Sequence, residues 1–346
     1  MTEIAAFHDL LLRLADRLPD DLTTQARGWL ALGRSVEVAR AVAFAALAGR
    51  IPVSAADCDL LTTTLGTAGD DGGVVAALDR SETSAPGPFA LAPVGPDVLE
   101  AAAGSVPYSL DLTVPYDGPG GLDPADEAIR AAVDPGEVAG VPILGVWRSW
   151  RFPAYETPWP PPRRIFLVQA DTTSERLAYV VPVLQDALTG AGEISPQIEV
   201  FADPGALPSF QRTALGFAAL LWSPGLRAEI RIARVFDQTR PTLSDEEEVE
   251  VAGYLAAGTP LMVSPQLTED VADPARGAVV PVAYHTDGRW VWPAASLYYL
   301  TEHSLPPDAG LLAHIRATDA RPSAVDAVSL HRALTRLYAT GGAEVR

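Results

Sequence analysis

The sequence predicts an α/β fold: a small N-terminal helical unit, then a Rossmann-like parallel sheet with flanking helices and a C-terminal hairpin–helix extension. Three observations predict it. Apolar residues recur at helical spacing from Ile4 onward. Short apolar runs suited to strands begin near residues 165, 198, 229 and 260, with helical segments between them. An Asp287-Gly288 pair between two runs rich in Val and Trp marks a hairpin.

Residues 1–66 read as a helical domain. Ile4, Phe7, Leu11, Leu14 and Leu18 fall at 3-4-3-4 spacing, one apolar face. Pro19 with Asp20 and Asp21 opens a second helix, which Gly33 ends. Ser35 caps an Ala-rich third helix. Ser54 with Asp57 forms a capping box for the fourth. Residues 67–95 are rich in Gly, Pro and Ser and read as a linker or long surface loop. Residues 96–164 read as a connector with one or two strands and the stiff spacer "PWPPPRR".

The α/β domain spans 165–305. "RIFLVQAD" is a continuous apolar run, as a strand buried on both faces requires. "QIEVFAD", "AEIRIARVFD" and "TPLMVS" follow as strands, alternating with helices. Their starts are about 32 residues apart, the length of a strand–helix–strand unit. Three right-handed crossovers then give a four-stranded parallel sheet. Residues 306–346 read as a C-terminal helical segment.

In "AYHTDGRWVWP", Asp-Gly suits a type I′ turn with positive φ at both central residues. Trp290 and Trp292 point to one face, and "AASLYYLTEH" is the helix that follows. Two readings stand. In one, the hairpin is a packed corner that covers the sheet core. In the other it is an exposed tip that grips a protein through Tyr284, His285, Asp287, Arg289, Trp290 and Trp292. His285 and Asp287 share a strand face, which could orient an imidazole, but no nucleophile stands at a recognisable spacing.

Composition excludes several chemistries. The 346 residues include no Lys and no Asn, so a phosphate-loop or Schiff-base lysine is absent. Cys58 is the single cysteine; it sits at an apolar helical position between Asp57 and Asp59 and reads as core. A formal charge of −19 opposes nucleic-acid binding and fits a basic partner or cations. No apolar run reaches membrane-span length and no basic n-region opens the chain, so a cytoplasmic location is expected.

Two functions from different classes follow. The first is a cofactor-free protein-binding protein, of the immunity type, that neutralises a basic partner. The alternative is an enzyme using Mg²⁺ or Mn²⁺ on a small phosphorylated or nucleotide substrate. It rests on Asp171, Asp203 and Asp237, each at the end of an expected strand, where a parallel sheet collects its ligands. Each acid also has an ordinary use as a helix cap or turn starter. No motif is specific enough to carry residues over from a known family.

Overall fold

A computed structural model of the chain describes residues 2–70, 72–82, 87, 89–102, 105–153, 161–225, 228–237, 243–318 and 321–340. The chain divides into two units, Met1–Pro224 and Gly225–Arg346.

The first unit opens with helices α1 (Glu3–Leu14), α2 (Asp20–Ala31), α3 (Ser35–Gly49) and α4 (Ala55–Thr67). They fall where apolar spacing predicts them, and Phe7, Leu10, Leu14, Leu30, Val42 and Leu61 form their shared core. Ser54 caps α4 by accepting the Asp57 amide. The Asp57 carboxylate does not reach back to complete a box; it takes the Ser54 hydroxyl and the Arg13 guanidinium. Cys58 is fully buried, and burial raises its thiol pKa. Within 67–95, the short helix α5 (Gly73–Ala76) and strand β1 (Phe89–Ala92) are ordered, and Val75 and Leu78 join the helical core.

The sheet of this unit is mixed, which corrects the expected parallel sheet. After α6 (Pro96–Ala101), β2 (Leu110–Asp111), α7 (Pro124–Val133) and β3 (Glu137–Val138) comes the long strand β4 (Val141–Pro153). Then follow β5 (Arg163–Ala170), α8 (Ser174–Gly190), β6 (Gln197–Phe201), α9 (Ser209–Gly216) and β7 (Ala219–Trp222). The strand order is β2-β7-β4-β5-β6, with β1 and β3 also on β4. Only β5–β6 and β2–β7 are parallel; β4 runs antiparallel to both β5 and β7. The first expected crossover, β5–α8–β6, therefore stands, and the next two do not. "ALLW" falls in the helical segment expected between "QIEVFAD" and "AEIRIARVFD". It leaves α9 after Gly216 and pairs with β4, because a short apolar run serves either element and its neighbour decides. The spacer "PWPPPRR" lies partly outside the described residues.

The sheet packs one face on α7 and α8 through Ile129, Val133, Val180, Leu184, Phe166, Val168 and Val200. Toward α1, α2 and α9 it presents polar groups that find internal partners. Arg27 meets Glu199 at 2.7 Å, and Gln211 donates to the same carboxylate. His8 bonds the Val200 carbonyl; burial takes its pKa down to about 4. Arg148 of β4 pairs with the buried Asp126 and donates to three loop carbonyls, at Pro93, Gly120 and Gly121. Buried charges persist only when so paired.

The second unit holds β8 (Arg231–Ile232), α10 (Asp245–Ala257), β9 (Thr259–Met262), β10 (Leu267–Glu269), β11 (Ala278–Pro281), β12 (Tyr284–Thr286), β13 (Trp290–Pro293), α11 (Ala295–His303), α12 (Ala309–Ala317) and α13 (Ala327–Ala339). Four strands pair in the order β8-β13-β12-β9, and β10 and β11 form a separate ribbon. The expected third and fourth parallel strands thus belong here: β8 pairs with β13 and β9 with β12. One face of the four-stranded sheet lays Trp290 and Trp292 against Tyr254, Leu300, Leu311 and Ile315. The other lays Tyr284 and Val291 against Ala333 and Leu337 of α13. Gly258 is required here, since a Cβ would lie 2.2 Å from the Trp292 ring. Among the described residues no helix is long and apolar enough to cross a membrane.

Candidate functional site

The β12–β13 turn is built around Asp287. Only Gly288 of this turn has positive φ, +85°, so the turn is not type I′. Asp287 instead pairs its own amide with the Trp290 carbonyl, and Gly288 and Arg289 make the bend. This frees the Asp287 side chain to turn back on the loop. Its Oδ1 accepts the amides of Arg289 (2.9 Å) and Trp290 (2.7 Å). Its Oδ2 accepts the Tyr254 hydroxyl (2.6 Å) from α10 and meets His314 Nε2 (2.5 Å) from α12. Burial alone would raise the carboxyl pKa, but these four bonds outweigh it and lower it. The same contact, after burial, drives the Tyr254 phenol pKa up. An ionised carboxylate is an acceptor only, so His314 carries its proton on Nε2.

His314 lines a cleft of about 400 Å³ with Glu229, Arg231, Arg289 and Trp290. Arg231 bonds Glu229 at 3.1 Å and lies 5.9 Å from the Trp290 ring centre. Arg289 is exposed and, among the described residues, enters no ion pair.

A second carboxylate in this unit has the same donor set. Asp270 Oδ1 accepts the amides of Ala272 (2.8 Å) and Asp273 (3.2 Å). Its Oδ2 accepts the Tyr298 hydroxyl (2.8 Å) and meets His303 Nε2 (2.6 Å), both from α11. Burial pushes this carboxyl up, the bonds from His303, Tyr298 and the two amides push it down further, and the pKa settles at about 2. Val271 N–H donates to the Tyr299 hydroxyl, and Arg276 bonds Tyr298 and Glu302. Together these contacts clamp the β10–β11 ribbon to α11.

The clamped ribbon exposes apolar side chains. Leu267, Glu269 and Val271 alternate outward, while Thr268 and Asp270 turn in. Leu267 is 55% and Val271 68% exposed, and Val263 just before the ribbon is 81% exposed. Glu269 and Asp273 are exposed there too, without an ion pair among the described residues. Among the described residues the ribbon has two strands, so β10 carries β11 on one edge only.

The residues expected at a gripping tip are therefore divided. Trp292 is fully buried and Tyr284 nearly so, which makes them core of the packed corner. Trp290 keeps only an edge at the cleft, and Asp287 is spent on its own turn. Arg289 alone is exposed. His285 is not the imidazole that Asp287 orients; it sits over Gly258, burial lowers its pKa, and its Nδ1 has no hydrogen bond among the described residues. The histidine that Asp287 does hold, His314, stands 27 residues beyond it, and Tyr254 33 before it. No local spacing signals either.

The acidic rim is also divided. Asp171 and Asp203 follow the adjacent parallel strands β5 and β6. Asp203 caps a short 3₁₀ turn through the Gly205 amide and lines a crevice of about 390 Å³ with Asp9, Arg13 and Ser174. Asp237 belongs to the second unit, where its amide bonds the Pro306 carbonyl, and it lies five residues beyond the end of β8 rather than at a strand end of the mixed sheet. Among the described residues no three His, Cys, Asp or Glu side chains form a group that could hold a metal ion. Comparison with protein-family models, with curated proteins and with solved structures finds no significant match to this chain.

Proposed function

We propose that this chain is a protein-binding protein whose partner is basic, in the manner of an immunity protein that holds and neutralises its target. One observation carries the reading: the outward face of the β10–β11 ribbon. Leu267 and Val271 stand exposed on either side of Glu269, with Val263 and Asp273 beside them. Exposed apolar side chains of this size, ringed by charge, mark an interaction surface. The free edge of β10 offers backbone groups to an added strand. The Asp270 clamp holds the ribbon in place beforehand, so little ordering accompanies binding. A formal charge of −19 speeds encounter with a basic protein.

The test is affinity capture from a lysate of the source cells at two salt concentrations. Wild type is compared with Leu267→Ser/Val271→Ser and with Glu269→Arg. A basic protein retained by wild type, weakened by salt, and lost from both variants while their circular dichroism is unchanged, supports the reading. Equal retention by the variants removes the ribbon from the interface. Wild type retaining no basic protein removes the function.

A further inference from the structure

The cleft beside Asp287 is a separate feature that protein binding by the ribbon does not use. We infer that it is a binding site for a small anion, a carboxylate or phosphate group carried on a flat apolar body. Four observations converge on it. Its volume of about 400 Å³ is that of a small-ligand pocket. In a chain of charge −19, its walls carry two guanidinium groups against one carboxylate, Arg231 and Arg289 against Glu229. Arg289 has no ion pair among the described residues, so its planar donor fork is available to an acceptor with two oxygens. The Trp290 edge supplies an apolar wall.

His314 completes the wall. Its Nε2–H is committed to Asp287, and Tyr254 bonds the same oxygen, so the ring is fixed in orientation and tautomer. Nδ1 is the ring's remaining nitrogen and has no hydrogen bond among the described residues. The cleft thus offers the exposed Arg289 guanidinium and a fixed imidazole in its wall. A basic ligand would be repelled by the Arg289 guanidinium.

Isothermal titration calorimetry with phenyl phosphate, benzoate and phenol tests the site. Saturable binding of phenyl phosphate or benzoate, without phenol binding, is expected. The tighter of the two identifies phosphate or carboxylate as the natural group. Arg289→Ala weakens binding about tenfold or more, the loss of one charge-assisted contact. Arg289→Lys recovers part of it, since a point charge replaces a fork. Arg212→Ala, in the other unit, leaves binding unchanged. Arg289 is exposed on a turn, so its variants retain the wild-type unfolding midpoint, which is measured alongside. No saturable binding of either anion in the millimolar range, or binding indifferent to Arg289→Ala, overturns the inference.

Discussion

Asp270 and Asp287 stand in the same bonds and different surroundings. Each gives Oδ1 to two amides of its own turn and Oδ2 to a tyrosine hydroxyl and a histidine Nε2. Around Asp287 the donors come from two helices, α10 and α12, and Tyr254 packs on Trp292 within the core. Around Asp270 both side-chain donors come from α11, and Tyr298, Arg276 and Glu302 lie toward solvent. A Tyr–Asp–His set is therefore a way to fasten a turn to a helix. What it does beyond that depends on what it holds up: a charged cleft in one case, an exposed apolar ribbon in the other.

The comparison breaks most readily at Asp287. Asp287→Ala leaves two turn amides, the Tyr254 phenol and the His314 imidazole without their shared acceptor, and a loss of about 3 kcal/mol is expected. Urea denaturation measures it. A change within about 0.5 kcal/mol would mean that the Asp287 set carries no structural load.

The Asp270 set is expected to answer to acid. Its carboxyl sits at about 2, below the unfolded value near 3.8. A depressed carboxyl stabilises the fold fully above its unfolded pKa and progressively less as pH falls toward the folded one. Protection of the Ala272 and Asp273 amides should thus decline between roughly pH 4 and pH 2. Hydrogen exchange followed by NMR reads this directly. Asp270→Asn should flatten the dependence; a decline that persists in that variant assigns it to another group.

Paired tyrosine variants sharpen the contrast. Tyr254→Phe removes one buried bond and is expected to lower stability by about 1 kcal/mol. Tyr298→Phe should do less, because water can replace a phenol at the ribbon's solvent side. Equal effects in thermal unfolding would show that the two surroundings are energetically alike. The smallest expected change is Leu267→Ser/Val271→Ser, within about 0.5 kcal/mol of wild type, since both side chains are exposed. Its consequence is loss of partner capture; a large destabilisation would place the ribbon face in the fold instead.

Much of the helical structure was legible because its signals are local. Phe7, Leu11 and Leu14 recur at the helical period, and Ser54 caps the helix it precedes, whereas Ser35 is the first residue of its helix and makes no cap bond. The hairpin was legible from Asp287-Gly288, but its turn type was not, because the Asp287 carboxylate captured two amides and shifted the bend by one residue. The four-stranded parallel sheet failed at β7 and β8. "ALLW" and "RI" are too short to declare a partner, and β4, antiparallel to β5, occupies the edge where the next parallel strand was expected.

By itself, then, the sequence determined an acidic chain without lysine, the N-terminal helices, the β5–α8–β6 crossover, and Trp290 and Trp292 on one face of a hairpin. Amphipathic period, capping and strand alternation act over a few residues and can be read in order. Only the tertiary structure decided which strands pair, that Trp292 is core, that Asp237 is not on the rim, and that His314 and His303 find carboxylates 27 and 33 residues away. These contacts join groups far apart in the chain, where packing and the demand of every buried polar atom for a partner determine the outcome.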